Sequence, residues 1–396
     1  MTETGHRPLP DDRSSDVAPA RPRPALLGAL APALVYLGVR LLGLVVLAAM
    51  AAYAGSDVLR ELTTWDGAWL LAIAEHGYAG VPPDRLDAFG NRTADTPLGF
   101  FPGYPALVAV LNLVTFGNVE AAGLLVSAGA GVTAAYGLTR LGELVPGGSR
   151  RAGLLLTALF AAAPMGVVLS MTYTEALFSA LAVWALVGVL REQWLVAGAC
   201  AAGAGLVRPT ATAVVAAVGL AALVAGLSRR GDWRPWAGGV LATTGLLGYF
   251  GYVAVRTGEP DGWFTVQREG WGWYFDGGAA TAGFVADVLV GGDRIFDGVI
   301  VLALAASLLL LGLLAWLRQP WPLLVYGAVA LLTVWGTEGL MYAKPRLLVP
   351  VFVLLVPIAL GLSRRRPGTA VAVAAAAAVC SAWFGGYALT IWQYGI

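Results

Sequence analysis

Asp66 is the residue from which the chemistry of this chain can be read. It sits in Thr64-Trp65-Asp66-Gly67-Ala68-Trp69, just past the first membrane-length apolar run, and Ile73-Ala74-Glu75-His76-Gly77-Tyr78 follows on the same segment. A carboxylate can take a proton from a hydroxyl. Indole rings anchor at a membrane surface and offer flat apolar faces. Together they suit a sugar delivered on a lipid. If the segment is a short surface helix opening at Asp66, the dipole at its start favours the negative charge. His76, with Glu75 beside it, could then orient Asp66 or a phosphate, and Gly77 suits a left-handed helix end. The same residues also fit a plain interfacial anchor with an N-capping aspartate and a solvated histidine. Spacing alone leaves both open.

Other residues fall into the same kind of place. Phe100-Phe101-Pro102-Gly103-Tyr104-Pro105 puts aromatics and two prolines at an apolar boundary, where proline marks a helix start or a break; the ring cluster fits a lipid groove or an aromatic belt. Glu175 follows Tyr173-Thr174 at a helix start, and Arg208 precedes Pro209 between two apolar runs. Arg268 and Glu269 stand beside Trp271, Trp273 and Tyr274, while Glu338, Tyr342, Lys344 and Arg346 gather late in the chain. Charges at span boundaries are costly and usually face the protein interior. Arg208, Arg268, Lys344 and Arg346 are therefore candidates to hold a lipid phosphate, arginine with its two-pronged fork. Taken singly, each also fits a snorkelling anchor or an ion pair.

The elements that must position these groups are membrane helices. Of 396 residues, 58% are hydrophobic and 12% charged, about half the roughly 25% charged share of soluble domains. Net charge is +1, with no basic patch to neutralise nucleic-acid phosphates. Cys200 and Cys380 both lie in apolar runs and read as small packing residues. No glycine-rich phosphate loop, His/Cys metal spacing or Ser/His/Asp pattern occurs. Arg40, in the middle of the first span, reads as a structural, paired arginine. Gly129-Ala130-Gly131 and Gly203-Ala204-Gly205 suit close helix packing.

With roughly 20 residues per crossing, spans are expected near 26–54, 119–141, 152–171, 174–190, 193–207, 209–227, 235–255, 297–316, 321–339, 347–362 and 369–391, which makes about eleven. Residues 1–25 read as a disordered tail, and 101–117 as interfacial or re-entrant. The arginine distribution puts the N-terminus in the cytoplasm: Arg7, Arg13, Arg21, Arg23, Arg140, Arg150, Arg151, Arg191, Arg229, Arg230, Arg234, Arg318 and Arg364 to Arg366 then fall inside. Two long connections, about 55–100 and 256–296, fall outside, and loops of that length are usually functional. The expectation is a multi-pass plasma-membrane protein with its chemistry on the extracytoplasmic side. The arginine, alanine and glycine bias points to a GC-rich bacterial genome.

The motifs Trp65-Asp66 with Trp69, Ile73 to Tyr78, Phe100 to Pro105 and Tyr173-Thr174-Glu175-Ala176-Leu177-Phe178, in this order, resemble the PIG-V-type mannosyltransferases of the GT-C superfamily. The resemblance covers the first half by motif and the second by hydropathy and its late basic cluster. It implies an all-α polytopic GT-C-like bundle over 26–396, with short interfacial helices in the first outer loop. It implies a polyprenyl-phosphate sugar, typically mannose, as donor, transferred with inversion to a hydroxyl of a glycolipid, glycan or protein. Asp66 corresponds to the first-loop catalytic aspartate. Glu75 and His76 would assist it, and Trp65, Trp69, Phe101, Tyr104, Tyr173, Glu175, Trp271 and Glu338 would line the lipid or sugar groove. Gly103 stands where a larger apolar residue is expected. No residue is assigned as a metal ligand, and a metal requirement is left open.

Inversion needs one carboxylate to deprotonate the acceptor. The departing lipid phosphate is already acidic, so a single prominent Asp suffices. A secondary transporter is the main rival; it would place charges at mid-membrane on broken helices, often in inverted repeats, and no repeat is visible here. A non-catalytic scaffold and a GT-C enzyme using another polyprenyl-phosphate sugar are the others.

Overall fold

Apolar runs without a polar face can satisfy their backbone in lipid only by closing every N–H and C=O within a helix, and this chain does so almost throughout. The computed structural model describes residues 1–2, 26–228, 231–392 and 394–396. The tail expected over 1–25 therefore lies outside the described residues apart from its first two, as do Arg7, Arg13, Arg21, Arg23, Arg229 and Arg230.

The helices are α1 (Leu26–Ala54), α2 (Val58–Thr63), α3 (Asp66–Gly80), α4 (Gly103–Asn112), α5 (Val119–Leu144), α6 (Arg150–Ala161), α7 (Glu175–Leu190), α8 (Trp194–Gly205), α9 (Thr212–Ser228), α10 (Arg234–Thr257), α11 (Gly262–Trp271), α12 (Ala279–Gly291), α13 (Ile295–Trp316), α14 (Trp321–Gly336), α15 (Lys344–Leu348), α16 (Val356–Ser363) and α17 (Pro367–Thr390). Among the described residues the one strand pairing is antiparallel, between β1 (Tyr274–Phe275) and β2 (Thr337–Glu338). Among the described residues, six helices are long and apolar enough to cross a membrane, and the bent pair Met341–Leu348 and Phe352–Ser363 makes up to seven. Shorter apolar helices, α7, α8 and α14 among them, complete the bundle. The protein is an all-α, multi-pass membrane protein.

Two expected spans are broken. The 152–171 run divides after Ala161 and resumes as a 3₁₀ turn over Gly166–Ser170, with Pro164 in the gap. The 347–362 run bends by 66° between α15 and α16, around Pro350. The 101–117 stretch is the short α4, about 15 Å long at 1.5 Å per residue and too short to span.

Arg40 explains how the first break survives in an apolar interior. Its guanidinium donates from Nη1 to the Ala161 carbonyl at 2.9 Å and from Nε to Ser170 Oγ at 2.9 Å. It thus satisfies a carbonyl at the end of α6, where no further helical turn supplies an N–H. Helices α8 and α10 touch along their backbones: a side chain at Gly205 would meet the Leu246 backbone, and one at Gly245 the Ala202 carbonyl. Gly131 leaves room for the Tyr36 ring, while Gly129 faces open space. Both cysteines are free.

The bundle has two unlike ends. At one, Arg140 and Arg150 pair with Glu143 at 2.8 and 3.6 Å, Arg151 donates to the Arg365 carbonyl, and Gln319 reaches the Pro146 carbonyl. At the other lie the two long connections, and they are stitched together. Ala88 N–H donates to the Gly270 carbonyl at 3.0 Å, and Gln267 Nε2 to the Gly99 carbonyl at 2.8 Å. The second connection carries α11, β1 and α12, so it is as structured as the first.

Candidate active site

Asp66 is the first residue of α3, and the backbone before it is strained. Trp65 takes φ 55° and ψ −125°, a conformation that costs energy for a residue with a Cβ. Its indole is 44% exposed and packs near Gly395. Gly67 follows against Thr172 and Tyr173, where a Cβ would collide with the Thr172 side chain. Thr172 N–H in turn donates to the Leu62 carbonyl at 3.0 Å. The start of α3 is thereby pressed onto the turn that leads into α7.

Four charged side chains from four segments meet there. Arg346, on α15, donates from Nη1 to Asp66 Oδ2 at 2.7 Å. Its Nε lies 3.5 Å from Glu175 Oε1, at the start of α7. Arg208, in extended backbone between α8 and the Pro209–Ala211 turn, pairs through Nη1 with the same Glu175 oxygen. The Arg346 guanidinium also sits 5.1 Å from the Tyr173 ring centre. Glu175, Arg208 and Arg346 side chains are at most 9% exposed, whereas that of Asp66 is 37% exposed. The cluster is a buried alternation of charges ending in one accessible acid. Glu175 gains from the first-turn field of α7.

Polar atoms around this cluster are left without protein partners. Glu175 Oε2, Thr210 Oγ1 and Ser179 Oγ are buried and have no hydrogen-bond partner among the described residues. Orphaned buried polar atoms are uncommon and mark places where something else supplies the bond. Ser179 lies one helical turn beyond Glu175 and Thr210 two residues beyond Arg208, so i,i+4 spacing on α7 and adjacency to Arg208 are the signals that could have flagged them.

The remaining candidates lie elsewhere. Lys344 is fully buried and donates to the Val334 and Thr337 carbonyls at 2.7 and 2.8 Å, closing the end of α14. Arg268 is exposed on α11. Glu75 and His76 are exposed, their side chains 3.6 Å apart, and Gly77, at φ 67°, breaks α3 directly after them. Glu338 pairs across the β1–β2 ribbon with Tyr274, whose hydroxyl donates to its carboxylate.

The aromatic candidates build the floor that joins the loops. Trp69 stacks on Phe100 at 5.5 Å and meets Trp271 edge-on at 5.5 Å, with the Arg92 guanidinium 5.8 Å from its ring centre. Phe101 is buried against Tyr249 and Trp263. Tyr104 is fully buried, donating to the Gly123 carbonyl at 2.8 Å. Gly103 abuts Leu206, its N–H donating to that carbonyl at 2.6 Å, and a Cβ there would strike the Leu206 backbone. That close approach is why a larger residue is absent. Among the described residues, no group of three or more His, Cys, Asp or Glu gathers as a metal site.

No protein-family model and no curated sequence matches this chain. Solved structures do. ArnT from Cupriavidus metallidurans, bound to undecaprenyl phosphate, is 17% identical, with a TM-score of 0.53 over 90% of this chain and 64% of that one. The two share a fold, a polytopic bundle of membrane helices. The archaeal oligosaccharyltransferase AglB from Archaeoglobus fulgidus, in complex with an inhibitory peptide and a dolichol-phosphate, gives 15% identity and a TM-score of 0.47 over 91% of this chain and 56% of that one. The chain spans less than two thirds of the length of either neighbour.

Proposed function

We propose that this protein is a membrane glycosyltransferase that moves a mannosyl residue from a polyprenyl-phosphate donor to an acceptor hydroxyl on the extracytoplasmic side, with inversion. The observation that carries this reading is the alternating cluster Asp66, Arg346, Glu175, Arg208 at the loop-bearing end of the bundle, with Asp66 alone accessible. Placing the arginine-rich end in the cytoplasm, as basic residues prefer, turns Asp66 outward. A likeness in fold to a protein bound to undecaprenyl phosphate is compatible with a lipid-linked donor.

The chemistry follows from the charges. Arg346 and Arg208 receive the donor phosphate, whose negative charge competes with Asp66 for Arg346. Asp66, released from that pair, accepts the proton of the acceptor hydroxyl as its oxygen attacks C1 of the sugar. The C1–O bond to phosphorus breaks, its electron pair passes to the phosphate oxygen, and the two guanidiniums stabilise the charge that builds there. Trp65 and the loop aromatics give the sugar and the first part of the lipid an apolar wall.

A transporter would use its buried charges at the bundle centre. The mid-span charge, Arg40, is already committed to Ala161 and Ser170. The test is to incubate the purified protein with radiolabelled polyprenyl-phosphate mannose and a cell-envelope extract. Label appearing in an acceptor is expected; label remaining wholly on the donor refutes the transfer, and equal transfer from polyprenyl-phosphate glucose or arabinose refutes mannose specificity.

A further inference from the structure

We infer that Glu175 is the positioning residue of the phosphate site: its carboxylate holds Arg208 and Arg346 together as one anion receptor, while Asp66 is the carboxylate that yields. This rests on the proposed reading of the two arginines as the donor-phosphate site.

Two carboxylates share the cluster, and their surroundings divide the work between them. Glu175 is 2% exposed and Asp66 37% exposed in their side chains. Glu175 starts α7, a helix buried along most of its length, and its Oε1 faces both Arg208 Nη1 and Arg346 Nε. Two guanidiniums this close repel each other in a poorly screened interior. One carboxylate oxygen between them removes that repulsion and fixes their separation. Among the described cations, the Asp66 carboxylate pairs with Arg346, through one oxygen, from a helix start where its side chain is 37% exposed. A phosphate arriving at the arginines can displace Asp66 at small cost, because water can solvate the freed carboxylate. It cannot displace Glu175, since a buried carboxylate stripped of its cations is costly. Formal charges within the cluster sum to zero, two acids against two arginines. The donor phosphate therefore enters by exchange for Asp66 rather than by filling an excess of positive charge. Environment thus sorts two like groups into two roles.

The experiment measures binding of undecaprenyl phosphate, and of uncharged undecaprenol, to the purified full-length protein in detergent, with a thermal melt for every variant. Glu175→Ala is expected to weaken undecaprenyl phosphate binding about tenfold or more and leave undecaprenol binding unchanged. Glu175→Asp should recover part of the loss because the charge is retained. Glu175→Gln, nearly the same shape, keeps the fold measurable if the alanine variant melts early, and should also bind the phosphate less tightly. Wild-type-like phosphate binding in folded Glu175→Gln and Glu175→Ala proteins overturns the positioning role while leaving the phosphate site intact. If the unaltered protein binds undecaprenol as tightly as undecaprenyl phosphate, the phosphate site itself fails, and the role of Glu175 with it.

Discussion

Arg346 Nη1 and Asp66 Oδ2 lie 2.7 Å apart although 280 residues separate them in the chain. The contact joins the first long connection to the bent span that carries α15 and brings two of the many boundary charges together. Arg346 uses separate nitrogens for Asp66 and Glu175, which a lysine ammonium, a single point charge, cannot reproduce. Arg346→Lys is therefore expected to raise the donor KM about tenfold or more with a smaller change in kcat, and Arg346→Ala to lose about 10²–10³ in kcat/KM. Steady-state kinetics with varied donor check this; equal KM values for the two variants and the native protein contradict it.

Lys344 stands two residues from Arg346, yet its ammonium is bound to the Val334 and Thr337 carbonyls. Lys344→Met is expected to leave the donor KM unchanged in the folded fraction while lowering the melting temperature, because two carbonyls lose their partner at about 1–3 kcal/mol. A raised donor KM with an unchanged melting temperature would place Lys344 at the phosphate instead.

That contrast shows where the sequence was legible. Apolar length revealed most of the long helices, though not α11 and α12 within the expected loop, and the boundary charges Asp66, Glu175, Arg208 and Arg346 do converge. Spacing along a short helix was harder to use. Residues i and i+2 point about 200° apart on a helix, so Lys344 and Arg346 cannot face the same way once α15 forms, but nothing local announces a five-residue helix. Asp66 and Glu75, nine residues apart, lie about two and a half turns apart, on opposite faces of α3. The breaks near Pro164 and Pro350 were hidden by hydrophobicity that continues across them, and the strained backbone of Trp65 by a residue type that rarely adopts it.

Arg40 supplies a prediction about stability alone. Replacing it with Leu keeps the apolar volume but strands the Ala161 carbonyl and Ser170 hydroxyl in the interior. A loss of about 1–3 kcal/mol is expected, read as a lower melting temperature in detergent, with turnover per folded molecule unchanged. A variant that melts like the native protein but loses turnover contradicts a purely structural Arg40.

Gly67 makes the contact of α3 with the α7 turn possible. Gly67→Ala pushes a methyl group into Thr172 and is expected to move Asp66, its chain neighbour, out of its native position. Because misplacement of about 1 Å can cost roughly a hundredfold in rate, kcat should fall about that far while the protein still folds. Native-like kcat in a folded Gly67→Ala protein removes that contact from the account.

The most direct test is Asp66→Asn, which keeps size and removes the base. With labelled polyprenyl-phosphate mannose and envelope acceptor, transfer is expected to fall about 10²–10⁴-fold, while undecaprenyl phosphate binds at least as tightly as to the native protein because Arg346 no longer has a competing carboxylate. Transfer at the native rate by the folded variant contradicts the claim that Asp66 takes the acceptor proton.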